Sequence, residues 1–236
     1  DSLHKTDKAD SQSLARAGID RLMHHKVRQW QPAAPHIKRL NALLARLDAL
    51  QSDLQREDNR MEKAGFSSVP EAVSQSINTM QINLKQQIST ITQEIEQHID
   101  RHPDLKKDRA LLRSIPGVGE VVSLRMTALY HSKDFTSASQ MAAYLGLVPR
   151  KRESGKYKGK AMLSKRGNPV IRAKLYMAAV VAKTWNPDIN AHYRRLKARN
   201  KTEMQTIGAA MRRLVQICFG VLKHQCEYQA KVTIAA

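Results

Sequence analysis

Two long apolar stripes constrain the architecture before any single residue does. Ile37, Leu40, Leu44, Leu47 and Leu54 recur at steps of three and four, interrupted where Gln51 stands in an apolar register. Ile77, Met80, Leu84, Ile88, Ile91, Ile95 and Ile99 repeat the pattern in the second stripe. That spacing predicts two amphipathic helices, each with one seam to bury. The stretch Lys63-Ala64-Gly65-Phe66-Ser67-Ser68-Val69-Pro70 between them supplies turn chemistry. An antiparallel helical hairpin of coiled-coil type follows, its seams packing within the hairpin or against another protomer.

The flanking segments are also helical in pattern. Leu14, Ala15, Ala17, Leu22 and Met23 predict a first helix reaching to about Trp30, broken by Gln31-Pro32-Ala33-Ala34-Pro35. After His102-Pro103, the stretch from Leu111 to Tyr130 reads as helix, tight turn, helix. Residues 150–168 are rich in Gly and Lys and read as loop or hairpin. Helices are expected over Val170 to Lys183 and Glu203 to Lys223, with a short basic helix near 189–199. The last dozen residues lack pattern and are expected to fray. The expected fold is mainly α: a long antiparallel coiled-coil arm, then an α-rich C-terminal domain containing a helix-hairpin-helix element. The expected boundaries are 1–30 for the C-terminal remnant of a preceding domain, 36–102 for the arm, 108–225 for the C-terminal domain and 226–236 for a tail.

Charge separates the two halves. Residues 1–110 hold 17 basic and 15 acidic side chains, whereas residues 111–236 hold 23 and 6, nearly all of the net +19. Ten basic residues and one acid, Glu153, lie between Arg150 and Lys174. A field of that density concentrates polyanions, nucleic acid first among them. It does not lie opposite an apolar helical face, as a membrane-surface helix would require. No apolar run is long enough to span a bilayer, and no secretory signal opens the chain. The cysteines, Cys218 and Cys226, are too few for a disulfide framework or a four-thiolate zinc site. Reduced thiols in a cytoplasmic protein are the expectation.

Three constellations could carry chemistry. In Ile115-Pro116-Gly117-Val118-Gly119, glycines between apolar helices suit a helix-hairpin-helix whose free N–H groups meet a DNA phosphate. Gly117 and Gly119 are therefore candidate backbone contacts, the plain alternative being an ordinary tight turn. In Arg150-Lys151-Arg152-Glu153-Ser154-Gly155-Lys156-Tyr157-Lys158, a serine lies among cations able to stabilise a phosphorane. Ser154, Tyr157 and Ser164 all remain possible nucleophiles on composition alone, and a serine in a basic loop usually only binds phosphate. In Lys5-Thr6-Asp7-Lys8-Ala9-Asp10, carboxylates at i and i+3 share a helical face and could reach one divalent ion. An acidic helix start is the simpler reading of that pair.

Taken in order, these segments resemble a known family. Lys-Thr-Asp-x-x-Asp at 5–10, the Ile-Pro-Gly-Val-Gly turn, Ala143-Tyr144-Leu145-Gly146-Leu147-Val148-Pro149, Glu153-Ser154-Gly155, and Ser164-Lys165-Arg166-Gly167-Asn168 followed by Arg172 and Leu175-Tyr176 run in sequence. The chain is similar over nearly its whole length to the DEDD-type insertion-sequence transposases, which include the pilin-gene inversion and bridge-RNA-guided serine recombinases. The resemblance implies an N-terminal RuvC-like domain with four acidic Mg²⁺ ligands, a coiled-coil arm and a C-terminal transposase domain with a nucleophilic serine. Asp7 and Asp10 match the third and fourth acids, and Ser154 matches the serine, ranking it above Ser164 and Tyr157. Ser11 stands where an alanine is usual. The first acid and the glutamate match nothing, and the chain opens on Asp1, so a fragment lacking most of the RuvC-like domain, and catalytically incomplete, is expected.

The implied activity is DNA recombination. Ser154 would form a transient ester with a DNA phosphate, metal held by the acids would assist, and Arg150, Lys151, Arg152, Lys156, Lys158, Lys165, Arg166 and Arg172 would hold the backbones. The implied partners are DNA, a non-coding guide RNA whose pairing supplies specificity, and further copies of the chain in a dimer or tetramer. Two other classes fit parts of the sequence: a helix-hairpin-helix DNA-binding protein without catalysis, and a metal-dependent junction nuclease.

Overall fold

A computed structural model describes residues 6–24, 31–67, 69–150, 153–154, 157–158 and 162–231, with residues 153–154 and 157–158 described by their backbone alone. The described residues are mainly helical, as the sequence predicts. They divide into two compact units, Asp1–Ala33 and Ala34–Ala236.

The first unit contains α1 (Asp7–Met23). The Thr6 side chain caps it by accepting from the Ala9 amide at 3.2 Å. Asp7 and Asp10 occupy its first turn, where the helix dipole favours negative charge. None of its residues is buried, and Leu14, Ile19, Leu22 and Met23 are all exposed.

The second unit opens with the arm, α2 (Pro35–Gly65) and α3 (Glu71–Asp100). The two run antiparallel: His98 Nε2 donates to the His36 carbonyl at 2.9 Å, Arg39 meets Glu94 at 3.4 Å, and Gln81 Nε2 donates to Asp58 Oδ1 at 2.8 Å. The buried apolar residues of the arm are Ile37, Leu40, Leu44 and Leu50 of α2 and Leu84, Ile95 and Ile99 of α3. The stripe is not interrupted at Gln51. A step of three from Leu47 brings Leu50 into the seam, where it is 1% exposed, and a step of four returns to Leu54. Met80, expected in the return stripe, is about half exposed. A two-helix ribbon covers only a narrow seam, so residues at its margin stay wet.

Among the described residues, six further helices build the C-terminal body: α4 (Pro103–Arg113), α5 (Glu120–Ser132), α6 (Ala138–Tyr144), α7 (Pro169–Trp185), α8 (Pro187–Lys197) and α9 (Glu203–His224). Pro35, Pro103, Pro169 and Pro187 each stand in a helix's first turn, where the missing N–H costs no helical bond. The central helix α9 starts at a capping box between Thr202 and Gln205 and buries Ile207, Leu214, Val215, Cys218 and Leu222. It packs against α4, α6, α7 and α8. Burial pushes the Cys218 thiol up to about 12, which makes it a core residue and not a nucleophile.

One buried ion pair fastens arm to body. Arg125 of α5 donates to both oxygens of Asp48 of α2, each at 2.6 Å, and to the Leu44 carbonyl at 3.3 Å. Lys174 of α7 approaches the same carboxylate at 3.7 Å.

The segment after α9 does not fray over its described part. Gln225 turns in a left-handed conformation and donates to Asp108. The Tyr228 amide donates to Ser114 Oγ at 2.8 Å, its hydroxyl to Asp188 at 3.0 Å, and the Lys231 amide reaches Asp188 at 3.1 Å. Polar anchors replace the apolar pattern whose absence suggested fraying. Residues 232–236 lie outside the described residues.

Candidate nucleic-acid interface

The basic stretch 150–168 forms two short antiparallel ladders. At the root, β1 (Pro149–Arg150) pairs with β4 (Met162–Leu163); beyond it, β2 (Glu153–Ser154) pairs with β3 (Tyr157–Lys158). Ser154 is opposite Tyr157 and Glu153 opposite Lys158. Two of the three possible nucleophiles therefore stand across one ladder. Lys151, Arg152 and Lys156 lie outside the described residues.

The root is held by a collar of two crossing backbones. Gly146 has φ +72°, and a Cβ there would lie 2.2 Å from the Arg166 carbonyl oxygen. Gly167 has φ +114°, and a Cβ there would lie 2.2 Å from the Tyr144 carbonyl oxygen. Only glycine allows both that conformation and that approach. The Ser164 amide donates to Val148 O at 2.9 Å and the Lys165 amide to Gly146 O at 3.2 Å. Arg172 reaches back from α7, its Nη1 donating to Gly167 O at 2.9 Å and Leu145 O at 3.4 Å. Asn168 caps α7 through the Val170 and Ile171 amides. The segments 143–149 and 164–172 are thus one structural feature, with Arg172 a half-buried clamp. Arg150, Lys165 and Arg166 stand exposed around it.

The glycines between α4 and α5 do different things. Gly117, at φ +94°, lies against α7, where a Cβ would come within 2.6 Å of Ala182 Cβ. Gly119 is exposed, precedes the first turn of α5 and has open space before it. The next residue is Glu120, whose carboxylate is bridged by Arg113 at 2.6 Å and by Arg109. Arg109 also grips Glu96 with two bonds at 2.5 and 2.8 Å, and these bonds hold its charge more firmly than usual. A phosphate at this turn would meet Gly119 with two arginines nearby and would compete with Glu120 for them.

Asp7 and Asp10 are exposed. Among the described residues no group of three or more His, Cys, Asp or Glu is placed to hold a metal ion. Two surface carboxylates one turn apart do not make a complete Mg²⁺ site.

Sequence reasoning missed the Asp48–Arg125 pair and a buried polar cluster. Asp108, 4% exposed, accepts from Gln225 Nε2 at 2.7 Å and lies 2.7 Å from His131 Nε2. The partners of Asp108 are 23 and 117 residues distant in sequence, so no local pattern announces them. Among the described residues no helix is long and apolar enough to cross a membrane.

Comparison with known proteins places these features in context. Residues 109–194 match the family described as Transposase IS116/IS110/IS902, a span that includes the glycine turn, the collar and Ser154. The chain is 28% identical over 235 residues to a pilin gene-inverting protein of Moraxella bovis, covering 97% of this chain and 69% of that protein. It is 29% identical over 119 residues to a transposase for insertion sequence element IS1111A of Coxiella burnetii, covering 50% of this chain and 32% of that one. An uncharacterized 42 kDa protein of insertion element IS900 from Mycobacterium paratuberculosis is 26% identical over 144 residues, covering 60% of this chain and 35% of its own length.

Proposed function

From residues 109–194 as a transposase domain of the IS116/IS110/IS902 family, we infer that the chain is part of a DNA transposase or site-specific recombinase that joins strands through Ser154. Transposases are enzymes, and the resemblance selects Ser154 over Tyr157 and Ser164 as the nucleophile. Ser154 Oγ attacks a DNA phosphorus, losing its proton, while the bond to one bridging oxygen breaks and that oxygen leaves as a protonated hydroxyl. The ester conserves the bond energy of the phosphodiester. A hydroxyl from the partner strand then attacks the same phosphorus, restores a phosphodiester and frees the serine. Arg150, Lys165 and Arg166, with Lys151, Arg152, Lys156 and Lys158 of the same stretch, stabilise charge on the transferring phosphoryl group.

The observation that carries this reading is the collar. Two glycine crossings with no room for a Cβ fix the root of the ladder that bears Ser154, in the most basic stretch of the chain. Placing a nucleophile on a rigid base is what oriented attack on a phosphodiester demands. The arm of α2 and α3 supports assembly as a coiled coil in a dimer or tetramer, and the turn at Gly119 supports helix-hairpin-helix contact with the backbone. A non-coding guide RNA, and Mg²⁺ at a site including Asp7 and Asp10, belong to the same reading and rest on the resemblance alone.

The test is a denaturing gel of the full-length protein with labelled DNA carrying a trapped strand break. Protein should remain attached to a DNA end, and Ser154→Ala should abolish the adduct while Tyr157→Phe and Ser164→Ala retain it. An undiminished adduct in Ser154→Ala refutes the assignment. Cleaved DNA without attached protein points to a nuclease, and binding without cleavage to a DNA-binding module.

A further inference from the structure

A groove of about 740 Å³ lies between α8 and α9 and is lined by neither the Ser154 ladder nor the glycine turn. Arg195 enters it from α8, Arg212 and Arg213 from α9, and Lys231 from the segment beyond, with His192 among them. Ala191 and Ala209 also line it, and larger side chains there would fill the space.

Positive charge is in excess here. Several other cations of the body are matched to carboxylates: Arg109 to Glu96 and Glu120, Arg125 to Asp48, Lys183 to Glu203. Among the described residues, neither Arg212 nor Arg213 forms an ion pair with a carboxylate. The acid in the lining, Asp188, is buried and accepts from the Tyr228 hydroxyl and the Lys231 amide. Arg195 Nη2 donates to His192 Nδ1 at 2.9 Å, so the ring accepts there and is neutral. Burial, then the charges of Arg195 and Arg213, hold that imidazole below its ordinary value. Adjacent unmatched arginines repel one another, an arrangement that an incoming polyanion relieves.

The groove adjoins the ladder root. Leu163 of β4 packs on Gly208 of α9, where a Cβ would lie 3.3 Å from its Cδ1. Arg212 follows one helical turn later, about 6 Å along the axis. Among the described residues no Phe, Tyr or Trp lines this groove, although Tyr228 lines the cavity beside it, whereas surfaces for single strands pair their cations with aromatic stacking platforms.

We propose that the α8–α9 groove is a second phosphate-binding surface that grips the backbone of duplex DNA beside the Ser154 ladder. This rests on the reading that the chain acts on DNA. It assigns a role to the basic α8 that the serine chemistry leaves without one.

The experiment is fluorescence anisotropy of the full-length protein with a short labelled duplex over a salt series. Each phosphate contact contributes about 0.9 to the slope of log K against log salt, so Arg212→Gln with Arg213→Gln should lower it by about 1.8. The same relation gives about 60-fold weaker binding near ~0.1 M salt. Should that double variant fail to fold, Arg195→Gln, on the exposed end of α8, should lower the slope by about 0.9 and affinity by about 8-fold. The His192 ring pKa, followed by NMR, should rise when duplex is bound. Wild-type affinity and slope in these variants overturn the groove, even while the Ser154 adduct still forms. Tighter binding of single strands or folded RNA overturns the duplex assignment. Failure of the wild-type protein to bind DNA overturns both this proposal and the reading beneath it.

Discussion

Replacing Asp48 by alanine should unfasten the arm from the C-terminal body. Arg125 is 7% exposed, and both its carboxylate bonds, at 2.6 Å, go to Asp48. After Asp48→Ala it keeps the Leu44 carbonyl at 3.3 Å, and Lys174 loses the same carboxylate. A buried charge left unpaired costs about 3–5 kcal/mol, far beyond the roughly 0–1 kcal/mol of a surface pair. With a urea m-value of about 2 kcal/mol/M, the unfolding midpoint should fall by about 1.5–2.5 M. Asp48→Leu combined with Arg125→Met removes both charges together and should recover most of that loss. The assay is urea unfolding followed by circular dichroism. A loss below about 1 kcal/mol in Asp48→Ala would refute the reasoning, since the pair would then be behaving as a solvated one.

Two further outcomes follow from local geometry. Gly146→Ala must adopt a left-handed backbone, costing about 1–2 kcal/mol, and must also displace the Arg166 carbonyl; unfolding and adduct yield should both suffer, and an unchanged variant would contradict the collar. His98 is held below 6.5 by burial first and by the neighbouring His102, Arg39 and His36 charges. The unfolded chain therefore takes up that proton first, so stability should fall as pH drops below about 6.5. Melting temperatures at pH above and below that value check it, and a fall of equal size in His98→Gln would assign the effect elsewhere.

Local chemistry made the helices legible, because their signals are short-range: prolines that break the chain between elements, and stripes of threes and fours. The slip from Gln51 to Leu50 was not, since seam membership depends on how the partner helix crosses. Gly117 illustrates the same limit at the site. Its positive φ suits the turn that the sequence predicts, but the reason a Cβ cannot fit is Ala182, on a helix that only the fold brings near. The motifs 143–149 and 164–172 could be recognised as segments, whereas their crossing as one collar could not. Arg172 shows the consequence: composition offers it to DNA, while the structure turns its guanidinium onto two backbone carbonyls. Asp48 and Arg125 lie 77 positions apart and carry no pattern that pairs them.

The central claim is that Ser154 carries the transferring phosphoryl group, and peptide mapping of the trapped protein–DNA adduct by mass spectrometry tests it most directly. The account predicts a nucleotide-modified serine in the peptide containing Ser154. A modification on Tyr157 or Ser164, or cleaved DNA with no modified peptide, would contradict it.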